Sequence, residues 1–298
     1  MKPNPVLKKL GLSDDDRVVI FHADDIGMSQ ASLAAYIELV DFGLLSSATA
    51  MVPCPWFPAT AAFCREGEGG KIDMGVHLTL TSELDGFRWG PISTRDPASG
   101  LMDEEGHFHR TSKALEEHGD PAFVKNEIEA QVQRAVDSGI DVTHIDSHMG
   151  SIFSEKFSKD YYQLSQKYPF PITMWRLEVA EIEKFGVERE KAIIFAKQIL
   201  ELEEKGLPLL DRGESITKLP VESRLEHARK KLEELSPGIT SCIIHPAKDT
   251  PELRASVNNW SERVADYELF TNESFRSYVR NTGIHIIGYR TFQDLIRS

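Results

Sequence analysis

Short apolar runs rich in β-branched residues alternate with longer segments of helical periodicity along most of the chain. The apolar runs predict strands over 17–23, 46–52, 71–80, 142–145, 207–210, 239–245 and 284–287, and an extended segment over 171–175. The segments between them predict helices over 29–42, 55–64, 121–138, 154–168, 188–205, 223–235, 275–281 and 291–296. A repeated strand-then-helix order is typical of a parallel sheet with right-handed crossovers.

The number of strand–helix units sets the expected architecture. About seven or eight such units in 298 residues fit a (β/α) barrel, whole or deformed, better than an open doubly wound sheet. The chain contains no Gly/Ser-rich or Pro-rich linker and no internal repeat. We therefore expect an α/β fold with one domain over residues 1–298, built as a deformed or incomplete TIM-like barrel.

Residues 82–120 interrupt this alternation. The stretch is rich in glycine and contains Trp89. A loop of this length inside a compact domain is usually functional or disordered. Because it follows the predicted strand that contains His77, we expect it to form a lid over a site at the end of that strand. The alternative is a surface insertion with a small hairpin.

Composition narrows the set of partners. The formal net charge is −13, with 47 acidic and 34 basic residues, and no basic stripe is present, which argues against a nucleic-acid partner.

No apolar stretch approaches the ~18 residues of a membrane span, and the first residues lack the apolar core of a signal peptide. Cys54, Cys64 and Cys242 have no metal-type spacing and are expected to be free thiols. A cytoplasmic protein is the expectation.

Ionisable side chains recur at or near the ends of the predicted strands. They are Asp24, Asp25, His77, His144, Asp146, His148, Arg176 and His245. In a (β/α) barrel the ends of parallel strands meet on one face, where reactive residues cluster. Each residue alone has a simpler explanation: an Asp can cap a helix, and a His can be part of the core. Their repetition at equivalent positions favours a shared site.

Two imidazoles and one carboxylate can hold a first-row divalent ion, although the residue types do not fix which one. Such an ion lowers the pKa of a water molecule and polarises a carbonyl oxygen. A second carboxylate beside the liganding one can then act as a general base. The pattern therefore predicts a metal-dependent hydrolase.

Four motifs follow one another along the chain: HADDIGMS at 22–29, GVHLTLT at 75–81, THIDSH at 143–148 and IHP at 244–246. Together, in this order, they make the chain similar to the YdjC-like carbohydrate deacetylases. The resemblance implies a deformed (β/α) barrel related to polysaccharide deacetylases. It also implies removal of N-acetyl groups from amino-sugar oligosaccharides or a related small acetylated sugar with one divalent ion, Mg or Zn before Mn, Co or Ni. A homodimer is compatible with this family.

The same resemblance assigns roles to individual residues. Asp25, His77 and His148 would bind the metal, and Asp24 would be the general base. His245 would be a general acid or would hold the tetrahedral intermediate, while His144 and Asp146 would orient the ligands. Arg176 is assigned to the substrate or to Asp24, and Trp89, from its residue type, to stacking on a pyranose ring.

Two departures from the family pattern bear on substrate and mechanism. His22 stands where the family usually has Asn, and Met149-Gly150 follows His148 where the family often continues with histidines. The first changes the hydrogen bonding around the aspartates, and the second changes a wall of the pocket. Two alternatives stay open: hydrolysis of another amide or an ester at the same metal site, and a non-catalytic sugar-binding barrel.

Overall fold

A parallel sheet forms the centre of the protein. The computed structural model describes residues 2–67 and 72–297. The strands are β1 (Arg17–Ile26), β2 (Ser47–Ala50), β3 (Met74–Leu78), β4 (Val142–Ser147), β5 (Arg212–Ser215), β6 (Gly238–Ile244) and β7 (His285–Ile286). Their order in the sheet is β4-β3-β2-β1-β6-β5, with β7 paired to β1. Every one of these pairings is parallel, so the predicted α/β fold is confirmed.

Strand β1 is the central element of the sheet. All of its residues from Val18 to Ile26 are buried, as expected for a parallel strand covered on both faces. It pairs with β6 from Arg17 to Ala23 and with β2 from His22 onward. The long apolar run that predicted this strand is therefore explained by burial on both sides.

Single bridges connect the two ends of the sheet. Ile145 in β4 pairs with Ile172, and Trp175 pairs with Leu210, both in parallel. Leu210 lies two residues before β5, so short segments without continuous ladders span the gap between β4 and β5. The predicted strand over 207–210 is wrong in its position: the strand is Arg212–Ser215, since only that segment aligns with β6.

Helices follow the strands and cover the sheet. They are α1 (Pro5–Lys9), α2 (Gln30–Phe42), α3 (Phe57–Glu66), α4 (Ser112–His118), α5 (Pro121–Asp137), α6 (Ser158–Lys167), α7 (Val179–Glu183), α8 (Arg189–Glu204), α9 (Arg224–Glu233), α10 (Pro251–Ser256), α11 (Trp260–Phe270), α12 (Glu273–Arg280) and α13 (Tyr289–Arg297). Helix α2 begins at the predicted N-cap, Ser29, whose side chain accepts from the backbone of Ser32. It ends at Gly43, whose φ of 74° lies in the left-handed region that favours glycine.

Helix α11 is not among the predicted helices. Two of its buried residues, Arg263 and Asp266, are charged. Charged residues on the buried face obscure the apolar periodicity by which a helix is recognised. Both residues have partners in the candidate site described below, which is why they are buried.

The insertion over 82–120 packs onto the sheet and helices. Trp89, Leu101, Phe108 and Leu115 are buried parts of the main core. A small antiparallel bridge joins Met102 to Phe108, which agrees with the hairpin alternative for this segment. The Glu127 carboxylate of α5 accepts hydrogen bonds from the backbone of Ile92 and Ser93 and so anchors the insertion to the rest of the protein.

Several smaller expectations can be compared with the structure. The predicted strand over 71–80 begins at Lys71, which lies outside the described residues; the strand observed is β3. Cys54, Cys64 and Cys242 are free thiols, as predicted. None of the helices in the described ranges is long and apolar enough to cross a membrane.

The contact between β3 and β4 can be tested at Gly75. A Cβ atom at this position would lie 2.6 Å from the His144 ring and 2.7 Å from the His144 backbone oxygen. We expect Gly75→Ala to lower the free energy of unfolding by about 1–3 kcal/mol, the usual cost of overpacking, in urea denaturation. Gly86→Ala is the control, because no atom of residues 2–67 or 72–297 lies within 4 Å of its added Cβ. Equal stability of the two variants would contradict this packing.

Candidate active site

The backbone is irregular near the end of β1, where the register with β2 shifts between Ala23 and Ile26. Asp24 and Asp25 both belong to this strand. Asp25 has a φ of 63°, in the left-handed region that residues other than glycine seldom adopt. The change of backbone direction sends the two neighbouring carboxylates to different partners. Asp24 and Asp25 can therefore have different chemical roles although they are adjacent in sequence.

Three side chains converge on one small space. Asp25 Oδ1 lies 3.5 Å from His77 Nε2 and 3.2 Å from His148 Nδ1. One atom from each of the three residues lies within 4.8 Å of the other two. Asp25 Oδ1 and His77 Nε2 are buried and have no hydrogen-bond partner among the residues described. Buried polar atoms are normally paired, so this donor set fits a bound cation.

Each of these histidines is held through its second ring nitrogen. His77 Nδ1 lies 3.2 Å from Thr49 Oγ1 on β2. His148 Nε2 lies 3.1 Å from both carboxylate oxygens of Glu83 in the insertion. Partners of this kind fix the ring orientation of metal-binding histidines. Although burial opposes it, the charges of Glu83 and Asp25 raise the pKa of His148 to about 10.

Asp25 is also paired with an arginine from α11. Arg263 Nη2 donates to Asp25 Oδ2 at 2.8 Å. Burial alone would raise the pKa of Asp25, but the charges of Arg263 and His148 hold it well below its usual value. One oxygen of Asp25 is thus neutralised by Arg263, and the other faces the two histidines.

Asp24 lies beside this group with its own partners. Its Oδ1 lies 2.7 Å from His22 Nδ1, while its Oδ2 lies 3.9 Å from His77 Nε2 and 3.8 Å from His245 Nε2. Burial raises the pKa of Asp24, but the charge of His77 and the hydrogen bond from His22 outweigh it and lower the pKa to about 2. Asp24 is therefore a carboxylate at neutral pH and can accept a proton.

His245 is oriented by a threonine and an aspartate. The Thr217 hydroxyl donates to Asp266 Oδ2 at 2.5 Å, so its oxygen is free to accept from His245 Nδ1 at 3.0 Å. The backbone N–H of His245 donates to the same carboxylate oxygen. These contacts place the proton on Nδ1 and turn Nε2 toward Asp24. Burial is the largest effect on the pKa of His245 and lowers it.

His144 and Asp146 are buried beside the three converging residues and Asp24. His144 Nε2 lies 2.8 Å from His22 Nε2, and burial lowers the pKa of His144 well below its usual value. Asp146 Oδ2 lies 3.7 Å from His77 Nδ1. Burial and the charge of Asp24 raise the pKa of Asp146. Asp146 thus lies next to the ring of His77, whereas His144 contacts His22, the hydrogen-bond partner of Asp24.

Two residues singled out in the sequence do not face this site. Arg176 pairs with Asp211 and with Glu203 of α8, and it donates to the Lys2 backbone oxygen; none of these partners is Asp24. Successive side chains of an extended segment alternate between faces, and Arg176 takes the face toward α8. The placement beside Asp24 is therefore corrected.

Trp89 is buried, whereas a ring that stacks on a sugar would be accessible. Its side chain is only 4% exposed, and its indole N–H donates to the Thr81 backbone oxygen. The ring lies 6.4 Å from the His148 ring, between centroids. A buried ring presents no open face for a pyranose, so Trp89 is a packing partner of the His148 region, which corrects the stacking role expected from its residue type.

Glu83, Arg263, Thr217, Asp266 and Thr49 are site residues that sequence reasoning missed. Glu83 follows the second motif by two residues, and this proximity is the one signal that could have found it. The other four are distant in sequence from the motif residues that they contact in the structure. Only the fold brings them together.

The fold and the site define the class of protein: an α/β barrel-like protein with aspartates and histidines gathered at the strand ends in a site able to hold a metal ion. The family model described as "YdjC-like protein" matches residues 18–281, and the chain belongs to this family. The resemblance carried by the four sequence motifs is thereby confirmed.

Individual relatives cover the chain almost completely. A protein named carbohydrate deacetylase from Thermus thermophilus is 31% identical over 98% of this chain and 99% of the relative. Another of that name, from Thermoanaerobacter pseudethanolicus, is 23% identical over 92% and 98%. A crystal structure from Enterococcus faecalis, of a candidate cellobiose-phosphate cleavage protein, is 25% identical, with a TM-score of 0.73 over 93% of this chain and 98% of that chain.

The cation site can be tested by thermal unfolding. A ligand that binds only the folded state raises stability, by about 2.7 kcal/mol at a hundredfold excess over Kd. We expect Zn²⁺ or Mn²⁺ to raise the Tm of the chelated protein, and His77→Ala and His148→Ala to lose that increase. His227→Ala, which alters an exposed histidine, should keep it. A full increase in folded His77→Ala protein would place the cation elsewhere.

Proposed function

We propose that this protein is a metal-dependent deacetylase that releases acetate from an N-acetylated amino sugar. The observation that carries the proposal is the convergence of Asp25, His77 and His148 beside the ionised Asp24. Two of their buried ligand atoms lack hydrogen-bond partners within the described part of the chain. Two of the relatives named above are called carbohydrate deacetylases, which supports a sugar substrate.

The ligand atoms indicate the kind of cation that the site would hold. Asp25 Oδ1, His77 Nε2 and His148 Nδ1 would hold one divalent cation, and imidazole ligands suit zinc and other first-row ions. Bound there, the cation would lower the pKa of a water molecule and polarise the acetyl carbonyl oxygen. Because His148 is protonated without it, cation binding would displace that proton and would weaken as the pH falls.

Asp24 and His245 would transfer the protons of the reaction. Asp24 Oδ2 accepts the proton of the attacking water, because Oδ1 is already engaged by His22. His245 Nε2 faces the same space, 3.8 Å from Asp24 Oδ2; its lone pair would take up the proton that Asp24 has removed from the water and pass it to the departing amine, so both residues return to their starting states. Burial lowers the pKa of His245, so a proton on Nε2 is readily transferred. The overall change is amide plus water to acetate plus amine.

Asp24→Asn separates base catalysis from cation binding. Asparagine keeps the shape of the side chain but cannot accept the proton, so we expect kcat for acetate release from N-acetylglucosamine oligomers to fall by about 10²–10⁴-fold. The cation-induced increase in Tm should remain. Asp137→Asn, on the surface of α5, is the matched control and should behave as wild type. Normal turnover by Asp24→Asn protein would contradict the assigned base.

Substrate class is tested by a panel assayed with each of several ions. Acetate release that requires a divalent ion and is confined to acetylated amino sugars supports the proposal. Turnover only of other amides or of esters would keep the site and replace the substrate. Saturable oligosaccharide binding without turnover under any ion would instead identify a non-catalytic sugar-binding barrel.

A further inference from the structure

Two histidines meet inside the curve of the sheet. His22 lies on β1 and His144 on β4, with β2 and β3 between those strands in the sheet order. Their Nε2 atoms are nevertheless 2.8 Å apart, which requires both side chains to point across the concave side. Both are almost completely buried. The ring of Tyr289 stacks on His144 at 3.8 Å, between centroids, and so fixes its plane.

The hydrogen bonds around this pair limit where protons can lie. The Thr143 hydroxyl donates to Asp73 Oδ1 at 2.7 Å, so its oxygen can only accept from His144 Nδ1, 3.0 Å away. His144 thus carries its proton on Nδ1 and offers the lone pair of Nε2 to His22. The short contact between the two Nε2 atoms then needs a proton on His22 Nε2.

The other nitrogen of His22 needs a proton as well. His22 Nδ1 lies 2.7 Å from Asp24 Oδ1, and an ionised carboxylate can only accept. With hydrogens on both nitrogens, His22 is an imidazolium. Burial opposes a charged His22, but the hydrogen bond to Asp24 and the charges of Asp24, Asp146 and Asp73 raise its pKa above the usual value.

The groups facing the pair are consistent with this charge. The charges of Asp24, Asp73 and Asp146 favour the charged form of His22, whereas His144 is kept neutral by burial and by the charge of His22 itself. Asp73 Oδ1 also accepts from the Ser47 hydroxyl, and Asp73 Oδ2 from the Arg290 backbone. Hydrogen bonds from these donors favour the ionised form of Asp73, but burial outweighs them and raises its pKa.

We propose that His22 is a positioning residue for Asp24: a buried imidazolium, held in that state by His144, Thr143 and Asp73, that engages Asp24 Oδ1 and leaves Oδ2 as the only oxygen free to act. The inference rests on the proposed function insofar as Asp24 is the base.

The charge state is measured without turnover. In ¹⁵N-histidine-labelled full-length protein, chelated and then Zn²⁺-loaded, an imidazolium shows two ring nitrogens of similar shift, and a neutral ring shows two widely separated shifts. The His22 signals are assigned by their loss in His22→Asn. We expect the imidazolium pattern for His22 and a neutral, Nδ1-protonated ring for His144 at pH 7. A neutral His22 in wild-type protein would overturn the inference.

Thr143→Val tests the hydrogen bonds that connect Thr143, His144 and His22, at a position distant from Asp24. It keeps the side-chain shape but removes the hydroxyl that accepts from His144, so His144 can move its proton to Nε2 and His22 can become neutral. We expect that change in the spectrum and a fall in kcat of about 10- to 100-fold, as for a weakened hydrogen bond to a charged group, with KM nearly unchanged. Thr240→Val, also at a buried strand threonine, should change neither.

The outcomes distinguish this inference from the proposed function. Ion-dependent acetate release together with a neutral His22, or a Thr143→Val protein with wild-type spectrum and kcat, would overturn the inference and leave the function standing. An imidazolium His22 in protein that releases no acetate would support the charged pair while removing the assigned reaction.

Discussion

Compensation of buried negative charge is the constraint on which the site depends. Asp24, Asp25 and Asp146 lie close together in the protein interior, where an unpaired carboxylate is strongly disfavoured. Each of the first two has one oxygen tied to a cationic or hydrogen-bonding partner, His22 for Asp24 and Arg263 for Asp25. The remaining oxygens face His77 and its neighbours. The same pairing that makes burial tolerable therefore selects the oxygens available for chemistry.

This constraint connects the site to distant parts of the fold. Arg263 comes from α11, and Glu83, which holds His148, comes from the insertion after β3. Asp266, on the same helix as Arg263, orients His245 through Thr217. The insertion and α11 are thus parts of the site itself. Their packing and the positions of the reactive groups depend on each other.

The strongest sequence signals predicted the parts of the fold that depend on local pattern. The buried run of β1, the capped helix α2 and the periodic helix α5 have bounds close to those expected. Asp25, His77 and His148 could be placed together because parallel strand ends share one face of a sheet. The pattern also placed Asp24 and His245 on that face, and the structure brings Asp24 Oδ2 and His245 Nε2 within 3.8 Å.

Other features could not be predicted because they depend on contacts between remote segments. Arg263 meets Asp25 across 238 positions of sequence, and its burial hides the amphipathic pattern of α11. Arg176 lies in a short extended segment. Its side chains alternate between two faces, but the sequence alone does not show which face points toward the site. Residue type suggested an exposed role for Trp89, but the packing of the insertion decides its exposure. His22 was visible as a departure, whereas its partner His144 depends on the curvature of the sheet.

The most direct test is anomalous diffraction from crystals of the protein loaded with Zn²⁺ or Mn²⁺. The account predicts one strong peak bound by Asp25 Oδ1, His77 Nε2 and His148 Nδ1, with the His22 contact to Asp24 intact. A peak bound instead by His22, Asp24 and Asp146, or by Asp103, Glu105 and His107, the other groups among the described residues that could hold an ion, would contradict it. The first of these would make Asp24 a ligand and remove it as the base.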